Sequence, residues 1–285
     1  MAFPPVRYDI DISRRACLDS FRYFAGLVAV VALTHCRDAG PDVTPATVVI
    51  PPVVSATLVS GTSISLTAVV SNAGGGVLTG QLVEWLSADP NIAAVSSAGV
   101  VTAIHTGEAQ ITATIGAVRS LPITLTVTPG AATRLAIRTQ PTGAASGVPL
   151  ATQPIVDIQD AAGNRVTSAT ATVTASLATG GGSVTCATAT AVGGFAAFTG
   201  LSISGPVGDK TLAFSATGLA PVTSSGFVLG PGAPTKLALR VQPSGAASGA
   251  PLLTQPVVEI RDDAGNLTTA ALTTVTATIG LEAAR

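Results

Sequence analysis

Apolar and polar residues alternate along most of the chain from about residue 53 onward. In the segment 109–115, Ala and Ile at the odd-numbered positions are separated by Gln and Thr at the even-numbered ones, and the segments 63–70 and 123–128 show the same period of two. This alternation predicts short β-strands with one buried face. Breaks rich in Gly and Asn, such as 71–76, separate the strands, and no segment of helical period lies between them. The pattern predicts an all-β chain of antiparallel sandwiches.

A long internal repeat follows this first region. The segment 133–178 aligns with 235–280 at an offset of 102 without a gap, and 28 of the 46 aligned pairs are identical. An offset of this size is about the length of one immunoglobulin-like domain and is too long for a solenoid repeat. We therefore expect tandem modules at 130–232 and 233–285, joined by short Pro-Gly linkers that permit some bending.

Each copy of the repeat carries an Asp-x-Ala-Gly-Asn segment between two alternating stretches, at 160–164 and at 262–266. Gly and Asn accept the backbone conformations of tight turns, so the segment predicts a hairpin loop. A calcium site that uses Asp160 and Asn164 is the alternative. No other chemistry is visible in the repeat.

The third copy ends before everything that corresponds to 184–232 of the second. Half a sandwich leaves its apolar face uncovered, so the last module is predicted to be incomplete. We expect Val258, Ile260, Val275 and Ala277 to face water, and we expect either a longer natural product or a broken reading frame.

The first module resembles a known family. The matching segments are 83–90 (Val-Glu-Trp-Leu-Ser-Ala-Asp-Pro), 94–96, 99–103 and 107–113, in the family's order. They are similar to the group 2 bacterial immunoglobulin-like domain, found in intimin-like adhesins and other surface proteins, over 52–129. Leu86 departs from the Ser that this family usually has. Trp85 is predicted to supply the largest side chain of the structural core rather than a sugar-stacking platform.

The repeated module resembles a second group. Its Asp-x-Ala-Gly-Asn turn, together with the Gly-x-Ala-x-Phe segment at 194–198, is similar to the invasin-like bacterial immunoglobulin-like domains. This resemblance implies the same sandwich fold for 130–232 and for the copy that follows it.

The N-terminal region has the pattern of an export signal. Arginines in the first 22 residues precede an apolar run, 23–33, that is too short to span a bilayer, so residues 1–35 are predicted to be a signal peptide. The run ends in Leu-Thr-His-Cys, which resembles a bacterial lipobox and implies lipidation of Cys36. His35 is larger than the small residue usual there, and cleavage nearby by ordinary signal peptidase is the alternative. The Pro-rich segment 36–51 is predicted to be an extended tether.

Composition excludes several function classes. Charged residues make up 10% of the chain and the net charge is -1, so no basic surface is available for nucleic acid. Two of the three cysteines precede the modules, which leaves Cys186 without an intradomain partner, and we expect it to be a half-buried apolar side chain.

No catalytic constellation is found in the sequence. His35 belongs to the export signal and His105 stands alone on a strand or its edge, so no triad can be assembled. Nucleophile-elbow, phosphate-loop and zinc-binding motifs are absent from the sequence after the signal. We predict a chain that is not an enzyme, with no cofactor, no metal site and no catalytic residues.

Two functions remain. The first is an adhesive or structural stalk at the cell surface or secreted, attached to the membrane only through its N-terminal anchor. The second is a carbohydrate-binding or accessory module of an extracellular enzyme whose catalytic part lies elsewhere. The expected partners are a surface glycan or another cell-surface protein, and the expected location is the cell envelope, as an outer-membrane or surface lipoprotein, or the medium.

Overall fold

The architecture is all-β, as the alternating pattern predicts. A computed structural model describes residues 42–53, 56–269 and 273–278, and within these ranges every regular element is a strand. No helix there is long and apolar enough to cross a membrane. The predicted signal peptide, 1–35, and Cys36 lie outside the described residues.

The first module is built from three sheets. One sheet has the order β1-β4-β5, a second has β10-β9-β11-β2 with β6 also paired to β9, and the third has β3-β8-β7. All pairs are antiparallel except β11 with β2. The strands are β1 (Thr47–Val49), β2 (Thr57–Val59), β3 (Ser63–Ser65), β4 (Val69–Ser71), β5 (Val77–Leu78), β6 (Glu84–Ser87), β7 (Ala93–Val95), β8 (Val100–Ala103), β9 (Gly107–Ile115), β10 (Val118–Arg119) and β11 (Ile123–Thr128).

The start of the first module differs from the sequence prediction. The tether was predicted to run through residue 51, but Thr47–Val49 forms β1 and pairs with β4. Val48 and Ile50 are buried on one side of this strand while Val49 is exposed. A period-two pattern within the Pro-rich segment therefore places its last residues in the sandwich, because burial of the two apolar side chains is favourable.

The second module forms one large sheet and one small one. The large sheet has the order β16-β14-β19-β20-β12-β13-β17 with β21 also paired to β19, and β15 pairs with β18. Phe198 and Phe214 meet in its buried core with ring centroids 5.4 Å apart in a tilted arrangement. The strands are β12 (Arg134–Thr139), β13 (Ile155–Gln159), β14 (Thr172–Thr179), β15 (Ser183–Thr185), β16 (Thr188–Thr190), β17 (Phe195–Ala197), β18 (Ser202–Ser204), β19 (Gly208–Ala216), β20 (Leu219–Thr223) and β21 (Phe227–Leu229).

The environment of Cys186 differs from the sequence prediction. Its side chain is exposed, and its backbone has a φ of 52°, in the left-handed region. The residue follows β15 in a turn, so the expectation of a half-buried apolar side chain is wrong.

The third module contributes β22 (Pro234–Val241) and β23 (Val257–Asp262), which pair antiparallel. Positions buried in the second module are more exposed here: Leu135 has 4% of its surface accessible, whereas its counterpart Leu237 has 60%. Val275 and Ala277 are exposed, while Val258 and Ile260 are half-buried rather than fully in water. In the second module the same inward face is covered by strands from β14 onward.

Candidate inter-module joints

The loop between β13 and β14 begins with a closely bonded turn. The Asp160 amide donates to the Asn164 carbonyl at 2.9 Å, and the Asn164 amide donates to Oδ1 of Asp160 at 2.8 Å. Gly163 has a φ of +93°, which the turn requires and which a side chain would disfavour. Both polar side chains are buried, although they belong to a loop. Buried polar groups require partners, and these two find several of theirs outside the turn.

The partners of Asn164 belong to the first module. Its Oδ1 accepts a hydrogen bond from the Thr106 amide at 3.0 Å. Its Nδ2 donates to the Ile104 carbonyl at 3.1 Å and to Oγ of Ser60 at 2.9 Å. Nδ2 also lies 2.9 Å from Oδ2 of Asp160, so its two N–H groups are shared among three oxygens. One amide side chain thus connects two modules.

Asp160 binds the linker that joins these modules. Its Oδ2 accepts a hydrogen bond of 2.9 Å from the Gly130 amide. The carboxylate therefore holds the chain where it enters the second module, while Asn164 holds the end of the first. We call the turns at 160–164 and 262–266 the clasp turns.

The second joint repeats the first. Oδ2 of Asp262 accepts from the Gly232 amide at 2.7 Å, and its Oδ1 accepts from the Asn266 amide at 2.7 Å. Asn266 donates through Nδ2 to the Gly205 carbonyl at 2.9 Å and accepts at Oδ1 from the Val207 amide at 3.0 Å. Aspartate, asparagine and linker glycine all lie 102 positions after their counterparts in the first joint, which is the offset of the sequence repeat.

Each linker glycine lies in a narrow gap. A Cβ added at Gly232 would lie 2.5 Å from the Ser146 carbonyl oxygen and 3.3 Å from Oδ2 of Asp262. At Gly130 it would lie 3.3 Å from the Ser60 carbonyl oxygen and 3.5 Å from Oδ2 of Asp160. The absence of a side chain lets the linker pass between the two modules, more tightly at the second joint than at the first.

The pKa values of both clasp aspartates are below their ordinary value. Desolvation raises the pKa of Asp160, but hydrogen bonds from the Asn164 side chain, the Gly130 and Asn164 amides and Ser60 together outweigh it. At Asp262, desolvation is again outweighed, by hydrogen bonds from the Asn266 side chain and from backbone amides that include Gly232, so its pKa is lowered too. The ionised carboxylate is the form that these N–H groups stabilise.

His105 contacts the first joint. Its Nδ1 lies 3.2 Å from Oδ1 of Asn164, and because that oxygen accepts, the ring nitrogen donates. Pro206 occupies the middle position of the corresponding loop at the second joint, between Gly205 and Val207. His105, which the sequence places alone on a strand or its edge, is therefore part of a joint.

The residues singled out from the sequence lie in different places. Trp85 is half-buried on β6 and packs against both apolar clusters of the first module, and Gly99 approaches it so closely that an added Cβ would lie 3.0 Å from the indole ring. Cys36 is outside the described residues. Trp85 as a structural residue and Cys36 as a lipidation site stay predictions.

The clasp turns were predicted to be plain hairpin loops, with calcium binding as the alternative. Their carboxylate and amide oxygens accept hydrogen bonds from N–H groups of the turn, the linker and the preceding module. Among the described residues no group of three His, Cys, Asp or Glu side chains could hold a metal ion. Sequence reasoning missed the joint, although the signal was present: a Gly lies 30 positions before each clasp aspartate.

Comparison with known proteins identifies the first module. Residues 42–125 match the family model described as bacterial Ig-like domain (group 2). This confirms the resemblance for the first module, and the match begins upstream of the predicted start at residue 52. No curated protein matches the chain significantly.

Several solved structures are similar to the chain at low identity. Domains 1–6 of the surface layer protein SbsC are 20% identical with a TM-score of 0.27, and the match covers 72% of this chain and 27% of that one. The Escherichia coli adhesin FdeC is 14% identical with a TM-score of 0.40, covering 79% and 75%. The D00-D0 domain of intimin is 11% identical with a TM-score of 0.38, covering 64% and 98%.

The chain spans about a quarter of the SbsC fragment that it matches. Every TM-score of these three structures is below 0.5.

Proposed function

We propose that this chain is a non-catalytic module string that acts as an adhesive or structural stalk, anchored at the cell surface or secreted. The observation that carries the proposal is the repetition of one hydrogen-bonded joint between successive modules. Asp160 and Asn164 at the first joint, and Asp262 and Asn266 at the second, make matching bonds to the linker and to the preceding module.

A stalk needs joints that resist bending. Short Pro-Gly linkers alone permit some bending. Here the amide of each linker glycine is bound by the clasp aspartate, and the asparagine side chain adds two backbone hydrogen bonds to the preceding module. A hydrogen bond to a charged group contributes about 1.5–3 kcal/mol and a neutral one about 0.5–1.5 kcal/mol, so the aspartate bond and the two asparagine bonds together favour one relative orientation of the modules.

The aromatic side chains favour a structural role over a carbohydrate-binding one. A sugar platform requires exposed aromatic rings, and the described residues contain five aromatic side chains, all buried or half-buried. They are Trp85, Phe195, Phe198, Phe214 and Phe227. The stalk is therefore the better supported of the two functions.

Attachment belongs to the same proposal. Lipidation at Cys36 would place the string at the cell envelope, with the outer membrane or outer surface as its location. A surface glycan or another cell-surface protein would be its partner. Export without lipidation would instead release the string into the medium.

The test is intact mass spectrometry of the membrane and medium fractions of the native host, combined with protease shaving of whole cells. A shaved chain that begins at acylated Cys36 supports the anchored stalk, and an exported chain that lacks 1–35 but carries no lipid supports the secreted one. An unprocessed chain that shaving does not reach would overturn the proposal.

A further inference from the structure

The end of each module that receives the next clasp turn is a three-residue loop. In the first module it is 104–106 (Ile-His-Thr), between β8 and β9, and in the second it is 205–207 (Gly-Pro-Val), between β18 and β19. We call these the receiving loops. The two loops have no residue type in common, yet the clasp turns that dock on them carry the same pair of side chains, an aspartate and an asparagine.

The recognition is made through the backbone of the receiving loop. Asn164 donates to the carbonyl of the first loop residue, Ile104, and accepts from the amide of the third, Thr106. Asn266 makes the same pair of bonds to its receiving loop, at distances of 2.9 and 3.0 Å. A carboxamide has the donor and acceptor of a peptide group, so it pairs with a strand-like backbone whatever side chains that backbone carries.

Each receiving loop is supported by a serine of its own module. Ser60 donates through Oγ to the Ile104 carbonyl at 2.6 Å, and its own amide donates to Thr128 at 2.8 Å. Ser146 makes the matching contacts, with Oγ 3.3 Å from the Gly205 carbonyl and its amide 2.9 Å from the Gly230 carbonyl. The two modules therefore support their receiving loops in the same way, although only the second belongs to the internal repeat.

We propose that the receiving surface of a module accepts any immunoglobulin-like module that carries a clasp turn with a linker glycine 30 positions before its aspartate. The clasp turn and its linker glycine carry the specificity of the joint. Modules of this chain are then exchangeable at their joints, because the middle residue of the receiving loop is histidine in one case and proline in the other. The inference rests on the proposed stalk function only in assuming that a fixed relative orientation of successive modules matters to the protein.

The first test adds a joint that the natural chain lacks. Residues 131–232 are duplicated after Gly232 in the full chain, so that a second-module clasp turn follows a second-module receiving loop. Cys17, Cys36 and every copy of Cys186 are replaced by Ser, and spin-label pairs across each joint report the inter-module distance. The new joint is expected to give a distance distribution as narrow as that of the first joint.

The matched control carries Asn164→Ala in the inserted copy only and is expected to lose the narrow distribution at the new joint while the other joints keep it. A broad distribution at the new joint without that substitution would overturn the inference, because the receiving loop would then have to match its own clasp turn. Failure of surface export would bear on the stalk proposal instead, and the distance measurement on purified protein does not depend on it.

A second variant tests the receiving loop in the natural chain. Pro206→Ala removes the ring of the middle residue at the second joint and leaves in place the Gly205 carbonyl and the Val207 amide that Asn266 binds. The distance distribution across the second joint is expected to stay narrow. A broad distribution would show that the proline side chain contributes to recognition, and the backbone inference would be wrong.

Discussion

The side-chain oxygen of Asn164 accepts a hydrogen bond of 3.0 Å from the backbone amide of Thr106, which precedes it by 58 positions in the neighbouring module. Asn266 and the Val207 amide form the same bond at the next joint, at a separation of 59 positions. A bond between residues so distant in sequence exists only while the two modules are held in register. It therefore reports the state of the joint directly.

Removal of the Asn164 side chain is expected to loosen the contact between the first and second modules. In Asn164→Ala, the Thr106 amide loses its acceptor and should exchange with solvent about tenfold faster, if that bond contributes about 1.4 kcal/mol. Hydrogen exchange read out at Thr106 and across the core of the second module measures this. The core amides should keep their protection, because the substitution leaves Phe214 and its neighbours untouched.

Asn91→Ala is the matched control, since Asn91 is an exposed asparagine in another loop. It should leave exchange at Thr106 unchanged. Equal protection of Thr106 in the wild type and in Asn164→Ala would contradict the role given to this asparagine.

Acid is expected to open both joints before it acts on the cores of the modules. Because folding lowers the pKa of Asp160 and Asp262 below 3.8, their contribution to joint stability is complete above that value and is lost as the pH falls through the lowered pKa. Spin-label distances across each joint, followed from pH 7 downward, should broaden only below about pH 3.8.

The variant Asp160→Asn separates the two joints. Its neutral amide cannot replace a carboxylate that accepts N–H groups at both oxygens, so the first joint should already be broad at neutral pH, while the second keeps its acid transition. A joint that broadens near pH 6 in the wild type would point to another titrating group and contradict the assignment to aspartate.

The linker glycines are expected to differ in their tolerance of a methyl group. Gly232→Ala places Cβ 2.5 Å from a backbone oxygen, so the linker or the module has to move, whereas the contact at Gly130 is 3.3 Å and needs a smaller shift. Distance distributions should broaden clearly at the second joint in Gly232→Ala and less at the first joint in Gly130→Ala.

Gly226→Ala provides the control, because an added Cβ there meets nothing within 4 Å. It should change neither joint. A larger effect of Gly130→Ala than of Gly232→Ala would count against the steric explanation.

Trp85 is expected to stabilise the first module. Its indole packs against both apolar clusters, so Trp85→Ala should lower the free energy of unfolding by about 2–4 kcal/mol. Leu86→Ala, on the exposed face of the same strand, should cost less than about 0.5 kcal/mol. Denaturant unfolding of the full chain, followed by tryptophan fluorescence, measures the wild type and Leu86→Ala, since Trp85 is the only tryptophan and Leu86→Ala keeps it.

For Trp85→Ala the readout is hydrogen exchange of the backbone amides around Ile111, because this variant lacks the fluorophore. Similar costs for the two substitutions would show that the indole is not part of the core.

Alternation of apolar and polar residues was enough to determine the strands and the sandwich class, because a strand with one buried face imposes a period of two on its own sequence. Ala109, Ile111 and Ala113 show this, and all three are buried on β9. The repeat of 102 positions likewise predicted the boundary between the second and third modules, and the motif around Trp85 identified the family of the first module. Each of these features is a pattern of residue types along the chain, so the sequence displays it directly.

Only the tertiary structure decided what the Asp-x-Ala-Gly-Asn turn does. In sequence it is a hairpin loop, since Gly163 and Asn164 are ordinary turn residues. Its role comes from the Thr106 amide and the Ile104 carbonyl, backbone groups of another module that no side-chain pattern marks. A backbone atom is the same in every residue, so the sequence does not reveal which peptide groups a buried side chain will meet until the two modules are folded and placed together.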